Sequence, residues 1–186
     1  MEHNDQITNV VSKPSVLNNA FKYGLYTSAA YIVVSLMLYI LDLTTVTWLN
    51  YVIYLIMIAG IVLAMLNYRN KLNGGFIQFG DAFLTGLYIS IITALVMTLY
   101  GWIYMTYINP DAAEQTLRLA EERLLQRGYP DEVIEKQMSM ARKMMNTPIA
   151  YIISIIWSVV IGAVVSVIAA AIVKKNDDSF NATFNQ

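Results

Sequence analysis

Cysteine is absent from this chain, which removes disulfides, thiol nucleophiles and thiolate metal sites together. A single histidine, His3, stands in a polar opening stretch and reads as a solvated side chain rather than a ligand. Charge is scarce at 13 % of residues, with 57 % hydrophobic, where an ordinary soluble domain carries about a quarter charged residues. A net charge of −1 supplies no basic surface to displace counterions, which excludes nucleic acid as a partner. Charge is missing altogether from four runs, residues 23–41, 43–68, 82–110 and 144–173.

Those runs are 19, 26, 29 and 30 residues long, and a helix needs about 20 to cross a bilayer. A buried helix of a soluble protein seldom stays apolar on every side for so long. The expected fold is therefore an all-α integral membrane protein with four transmembrane helices, near 21–41, 48–67, 82–108 and 148–173. Residues 1–18 read as a flexible N-terminal tail, 19–175 as the membrane domain and 176–186 as a flexible C-terminal tail. The opening segment lacks the basic region of a cleaved signal, so the first span is expected to stay as an anchor.

The link from Asp42 to Thr47 is short enough to make spans one and two antiparallel neighbours. Trp48, Tyr51 and Tyr54 follow it, rings that favour the headgroup level. After span two, Gly74 and Gly75 break the helix. Phe76, Phe79 and Phe83 then suggest a short interfacial segment leading into span three. Asp81 falls where a carboxylate meets the free N–H groups opening that helix. The rival reading, an ion or proton site, calls for a deeper acid with polar company.

Spans three and four carry rows of small residues at every fourth position: Ala82, Gly86, Ser90, Ala94 and Thr98, then Ala150, Ser154, Ser158, Gly162, Ser166 and Ala170. Such rows let two backbones approach closely in lipid. Gly86, Ser90, Ala94, Ser154, Ser158, Gly162 and Ser166 are accordingly the expected helix-packing positions, either between these two spans or between two copies of the chain.

Residues 109–147, between those spans, hold 13 of the 25 charged side chains. Asn109-Pro110-Asp111 has the form of an N-cap followed by proline at the first helical position. Ala113, Leu117, Ala120 and Leu124 make one apolar stripe. Gly128 stops it, and Ile134, Met138, Ala141 and Met145 make a second. Acids come early and bases late in both helices, matching the helix dipole. Two matched stripes around a tight turn predict an extramembrane helical hairpin. Arg118, Glu122, Lys136, Met140 and Met144 are its candidate partner surface. Thr147-Pro148 is expected to cap the last span.

The bases divide six and six between the two sides. Lys13, Lys22, Arg69, Lys71, Lys174 and Lys175 all lie close to span ends, where the positive-inside rule acts, whereas four of the hairpin's six lie ten or more residues away. This places both termini in the cytoplasm and the hairpin outside.

No span interior holds an ionisable residue of the kind that coupled transport or intramembrane catalysis uses, and no phosphate loop or nucleophile elbow is present. No enzyme activity and no cofactor are expected. Met138, Met140, Met144 and Met145 could hold Cu(I) through their thioethers, but the blander reading, packing and an adaptable contact surface, is preferred. Asn181-Ala182-Thr183 matches a glycosylation acceptor, a pattern too short to carry weight.

The run Gly75-Phe76-Ile77-Gln78-Phe79-Gly80-Asp81-Ala82-Phe83 with Gly86 resembles a bacterial four-span family, domain of unknown function 4199, found widely in Bacteroidetes. Asn109-Pro110-Asp111, the Gly128 break, Gly162, Ser166 and the closing Lys174-Lys175 continue the likeness over about residues 15–175. The resemblance implies a multi-pass protein of the bacterial inner (cytoplasmic) membrane and brings no activity or site residue. The function expected is presentation of the hairpin to another envelope membrane protein or to a second copy, with the lipid bilayer as the standing partner. A small transporter or channel, its path lined by Thr27, Ser35, Ser90, Thr93, Thr98, Ser154 and Ser158, is the alternative.

Overall fold

A computed structural model describes residues 15–44, 46–145 and 147–175. The proposed tails lie outside them, apart from Ser15–Asn18. Those four residues open the first helix, α1 (Val16–Ile40), where the Ser15 hydroxyl caps the end by accepting from the Asn18 N–H at 3.2 Å. The other helices are α2 (Asn50–Asn67), α3 (Phe79–Ile103), α4 (Ala112–Gln126), α5 (Asp131–Met145) and α6 (Pro148–Val173). One π-helical turn extends α2 over Tyr68–Leu72, and another extends α3 over Tyr104–Ile108. Among the described residues there is no strand beyond one isolated bridge. Four stretches are long and apolar enough to cross a membrane: Val16–Ile40, Tyr51–Leu72, Phe79–Ile108 and Pro148–Val173. They indicate a multi-pass membrane protein.

α1 is closed by a tight reversal. Leu43 N–H reaches the Leu38 carbonyl at 2.8 Å and Asp42 N–H reaches Tyr39 at 3.1 Å. This pair of bonds satisfies carbonyls left free at a helix end and requires a left-handed residue between them, which is Asp42 at φ 55°. α4 ends in the same way, with Tyr129 bonded to Leu124, Gly128 bonded to Leu125 and Gly128 at φ 72°. One reversal uses the residue suited to it and the other does not. Asp42→Gly is therefore expected to raise stability by up to about 1 kcal/mol, read as a higher unfolding midpoint in detergent.

α3 is the central helix, packed most extensively on α6 and then on α1, while α2 lies against α1, α3 and α6. The buried apolar side chains of the bundle crowd towards one end: Ala20, Ile61, Ala64, Met65, Tyr68, Ile77, Ala82, Ile89, Ala169, Ala170 and Val173. This is the end where α1 begins and α6 finishes. Towards the opposite end the described bundle adds only Met57 and Ala94 as buried apolar residues. The bundle is tight at one end and splayed at the other.

Polar groups lock the tight end. Asn19 is buried and donates to the Ala64 carbonyl at 2.9 Å, while Asn67 donates to the Asn19 side-chain oxygen, also at 2.9 Å. Ile77 and Lys175 exchange both backbone bonds, at 2.9 and 3.0 Å. The Arg69 guanidinium donates to the Val173 carbonyl at 3.1 Å. Interhelical hydrogen bonds in lipid average about 0.6 kcal/mol and reach about 1.7. Asn19→Ala removes two of them at once, so a loss of about 1–2 kcal/mol is expected in an unfolding titration.

Several local expectations change. The 74–81 link is a turn at Gly74 and Gly75 (φ 62° and 94°) followed by the Ile77 bridge, with no separate interfacial segment. Phe76 stays outside the helix, its ring 5.7 Å from the Lys175 ammonium, while Phe79 and Phe83 stack at 6.4 Å within α3. α3 starts at Phe79, so Asp81 sits in its first turn. Asn109-Pro110 precedes α4 as a turn, with Asp111 at the cap position. The Asn109 amide turns back to the Tyr104 hydroxyl at 3.4 Å. Thr147 holds the cap position of α6, but its hydroxyl donates to the Met144 carbonyl instead of accepting from the helix.

Candidate functional site: the α3–α6 seam and the helical hairpin

The two rows of small residues meet each other. A Cβ added at Gly86 would fall on the Ser166 hydroxyl and 2.7 Å from its Cβ, and one added at Gly162 would fall on the Ser90 hydroxyl and Cβ. As the number rises along α3 it descends along α6, so the helices run antiparallel with glycine facing serine twice. Ser90 donates to the Gly86 carbonyl at 2.8 Å, and Ser166 donates to the Gly162 carbonyl at 2.7 Å. Each hydroxyl is thus satisfied within its own helix, and its small body fills the hollow over the opposite glycine. Glycines also admit close contacts between other helices, which the sequence reading did not single out as packing positions. Gly60 of α2 faces Thr27 of α1, and Gly24 of α1 faces Ile92 of α3.

The seam does not run the full length of the rows. Ala94 is buried, Ser158 is half-buried and Ser154 is exposed. From that point α3 and α6 diverge around a crevice of about 360 Å³. Met97, Thr98, Gly101, Tyr151, Ser154 and Ser158 line its walls, joined by Met145 from the end of α5.

Apart from Ser158, which lines the crevice, the hydroxyls proposed for a polar path are turned towards backbone or towards each other. Thr27 and Thr98 donate to carbonyls four residues back, at 2.7 and 2.8 Å, and Ser154 donates to the Tyr151 carbonyl at 2.8 Å. Thr93 reaches the Gly24 carbonyl at 3.5 Å, and Ser35 accepts from the Tyr100 hydroxyl at 3.1 Å. The last bond belongs to a tyrosine group that ties α1 to α3 at the splayed end. There the Tyr39 ring meets Tyr104 edge-on at 5.8 Å, and its hydroxyl donates to the Ile108 carbonyl at 3.0 Å. Tyr39, Tyr100 and Tyr104 carried no periodic signal that would have marked them as a group.

α4 and α5 fold back on each other through the predicted stripes. Ile134 and Met138 are buried, and Ala113, Leu117, Ala120, Leu124, Ala141 and Met145 are partly covered. The four methionines differ in exposure. Met138 and Met145 face the seam, whereas Met140 and Met144 are 60 % and 45 % exposed. Among the described residues no group of three or more His, Cys, Asp or Glu is placed to hold a metal ion. Of the candidate partner surface, Arg118, Glu122 and Lys136 are exposed as well. Arg118 is engaged with Glu114 at 2.7 Å, one helical turn away. The Arg118 hydrogen bond, with its charge, holds the Glu114 carboxyl below its ordinary range. The small stabilisation of this exposed pair is present above the ordinary carboxylate range and fades as pH falls through the lowered value.

Residues 22–175 match the family described as "Protein of unknown function (DUF4199)". No curated protein and no solved structure matches the chain.

Proposed function

The chain belongs to the DUF4199 family, whose description assigns no activity, and from that premise we propose a non-enzymatic role at the bacterial inner membrane. In this reading the protein presents the α4–α5 hairpin outside the cytoplasm to another envelope membrane protein. One observation carries it. α5 buries Ile134 and Met138 against α4, yet Val133, Met140 and Met144 stay exposed along a flank a quarter-turn away. Leu125 and Tyr129 add exposed apolar surface at the tip. The hairpin thus carries more apolar surface than its own packing uses, and methionine suits a surface that must adapt to a partner.

The orientation follows from the bases. Arg69, Lys174 and Lys175 gather at the tight end with α1's Lys22, each within a short distance of a span end, where basic residues favour the cytoplasmic side. The hairpin mixes seven acids with its six bases, and most of those bases stand far from a span.

A photoreactive residue at Met140, irradiated in native membranes, tests the proposal. The expected product is a discrete adduct with one envelope protein, absent when the probe stands at Glu132 on the charged flank. Lipid adducts alone at both positions would overturn it.

A further inference from the structure

The geometry points to the α3–α6 crevice as the seat of one acyl chain of a membrane phospholipid. The inference rests on the four membrane spans and is independent of what the hairpin binds.

The crevice begins where the seam ends. Above the facing pair Ser90 and Gly162 the helices separate, and the gap runs from Ala94 to Met105 on α3. Spread over about 16 Å of helix at 1.5 Å per residue, about 360 Å³ leaves a slot narrower than a helix. A helix, at about 10–12 Å across, is too thick to enter it. A second copy docking there would also need about 800 Å² from each partner, and a slot covering half of one seam is too short to supply it. A single hydrocarbon chain fits this width.

The surroundings name the source of that chain. The walls pass without a polar boundary into Leu99, Trp102, Ile153 and Trp157, exposed apolar residues of the same two spans. The crevice is therefore continuous with the surface that meets bilayer hydrocarbon. Two of its four lining hydroxyls, those of Thr98 and Ser154, donate to carbonyls of their own helices. The inner end is closed by the tight Ser90–Gly162 contact, and Met145 of α5 joins the lining at the other end. A chain lying in the slot is flanked by both α3 and α6, unlike one lying against the outer face of α2.

The test uses the full-length protein in phosphatidylethanolamine–phosphatidylglycerol vesicles that contain a phospholipid with a diazirine on one acyl chain. Adducts are mapped by peptide mass spectrometry. Labelling at Met97 and Tyr151 is expected to exceed labelling near Leu55, an exposed residue of α2 at the same end, at least fivefold. Gly101→Leu fills the slot, and since a Cβ at Gly101 meets nothing within 4 Å, the unfolding midpoint should not fall. That variant is expected to abolish the excess at Met97 and Tyr151 while leaving the Leu55 signal unchanged. Ser154→Leu, at the exposed rim, provides the same reading should Gly101→Leu fold poorly. Even labelling around the wild-type bundle would overturn the inference. So would an excess that survives both filling variants.

Discussion

Gly162→Leu is expected to lower the stability of the bundle by about 3 kcal/mol or more, at the upper end of what overpacking costs. The added Cβ alone would fall on the Ser90 side chain, and the isobutyl group beyond it has no room unless α3 and α6 separate. Because Ser90 and Ser166 are almost fully buried in this seam, separation would also expose the neighbouring Gly86–Ser166 contact. The prediction is specific to the pairing. Gly162→Ala should cost less, and adding Ser90→Gly to it should recover most of the loss, since the intruding carbon then meets a hollow. Unfolding midpoints in detergent decide the matter. A Gly162→Leu protein as stable as the wild type would mean that the seam does not hold the bundle together.

The second large effect concerns the hairpin. Ile134 is buried between α4 and α5, and Ile134→Asp would place a carboxylate in that seam without a partner. Burying an unpaired charge costs several kcal/mol, which is more than a two-helix seam with two buried side chains can offset. The hairpin is expected to open, becoming cleavable by protease within Ala112–Gln126 and Asp131–Met145. The bundle should keep its unfolding midpoint, because among the hairpin helices only α5 makes more than slight contact with it, against α6. A hairpin that stays protease-resistant after this substitution would show that α4 and α5 are held by something other than the Ile134 and Met138 seam.

Much of this architecture was legible because lipid imposes simple rules. A charge-free run of about 20 residues has few fates, so all four spans could be placed from composition, although Ser15 moved the start of α1 earlier. The hairpin stripes were legible for a related reason: helical spacing selects one face, and the burial of Ile134 and Met138 follows it. The spacing of Gly86, Ser90, Gly162 and Ser166 showed which faces were small. It left open whether they met within one chain, and the glycine-on-serine contacts answer that for this half of the rows. What spacing could not convey is where the contact stops. Thr98 and Ser154 continue the same rows, yet they line a crevice, because helices that cross at an angle leave a straight seam after a few turns.

Other features had no local signature at all. The Ile77–Lys175 bridge joins backbone groups from distant parts of the chain, and backbone pairing leaves no mark on side-chain choice. Asn19 and Asn67 had a faint one. An amide at the margin of an apolar run is costly unless it finds a partner, and the two find each other across α1 and α2. Asp42 ran against its signal, since a left-handed helix end favours glycine.

The central claim is that four spans carry the hairpin to the side of the membrane opposite the termini. The absence of native cysteine makes a clean measurement available. Single cysteines at Lys136 in α5 and at Lys71 after α2 are exposed to a membrane-impermeant maleimide in cells whose inner membrane is intact. The account predicts rapid labelling of Lys136→Cys, and labelling of Lys71→Cys only after the inner membrane is opened. Labelling of Lys71→Cys in intact cells, or protection of Lys136→Cys until they are opened, would contradict it.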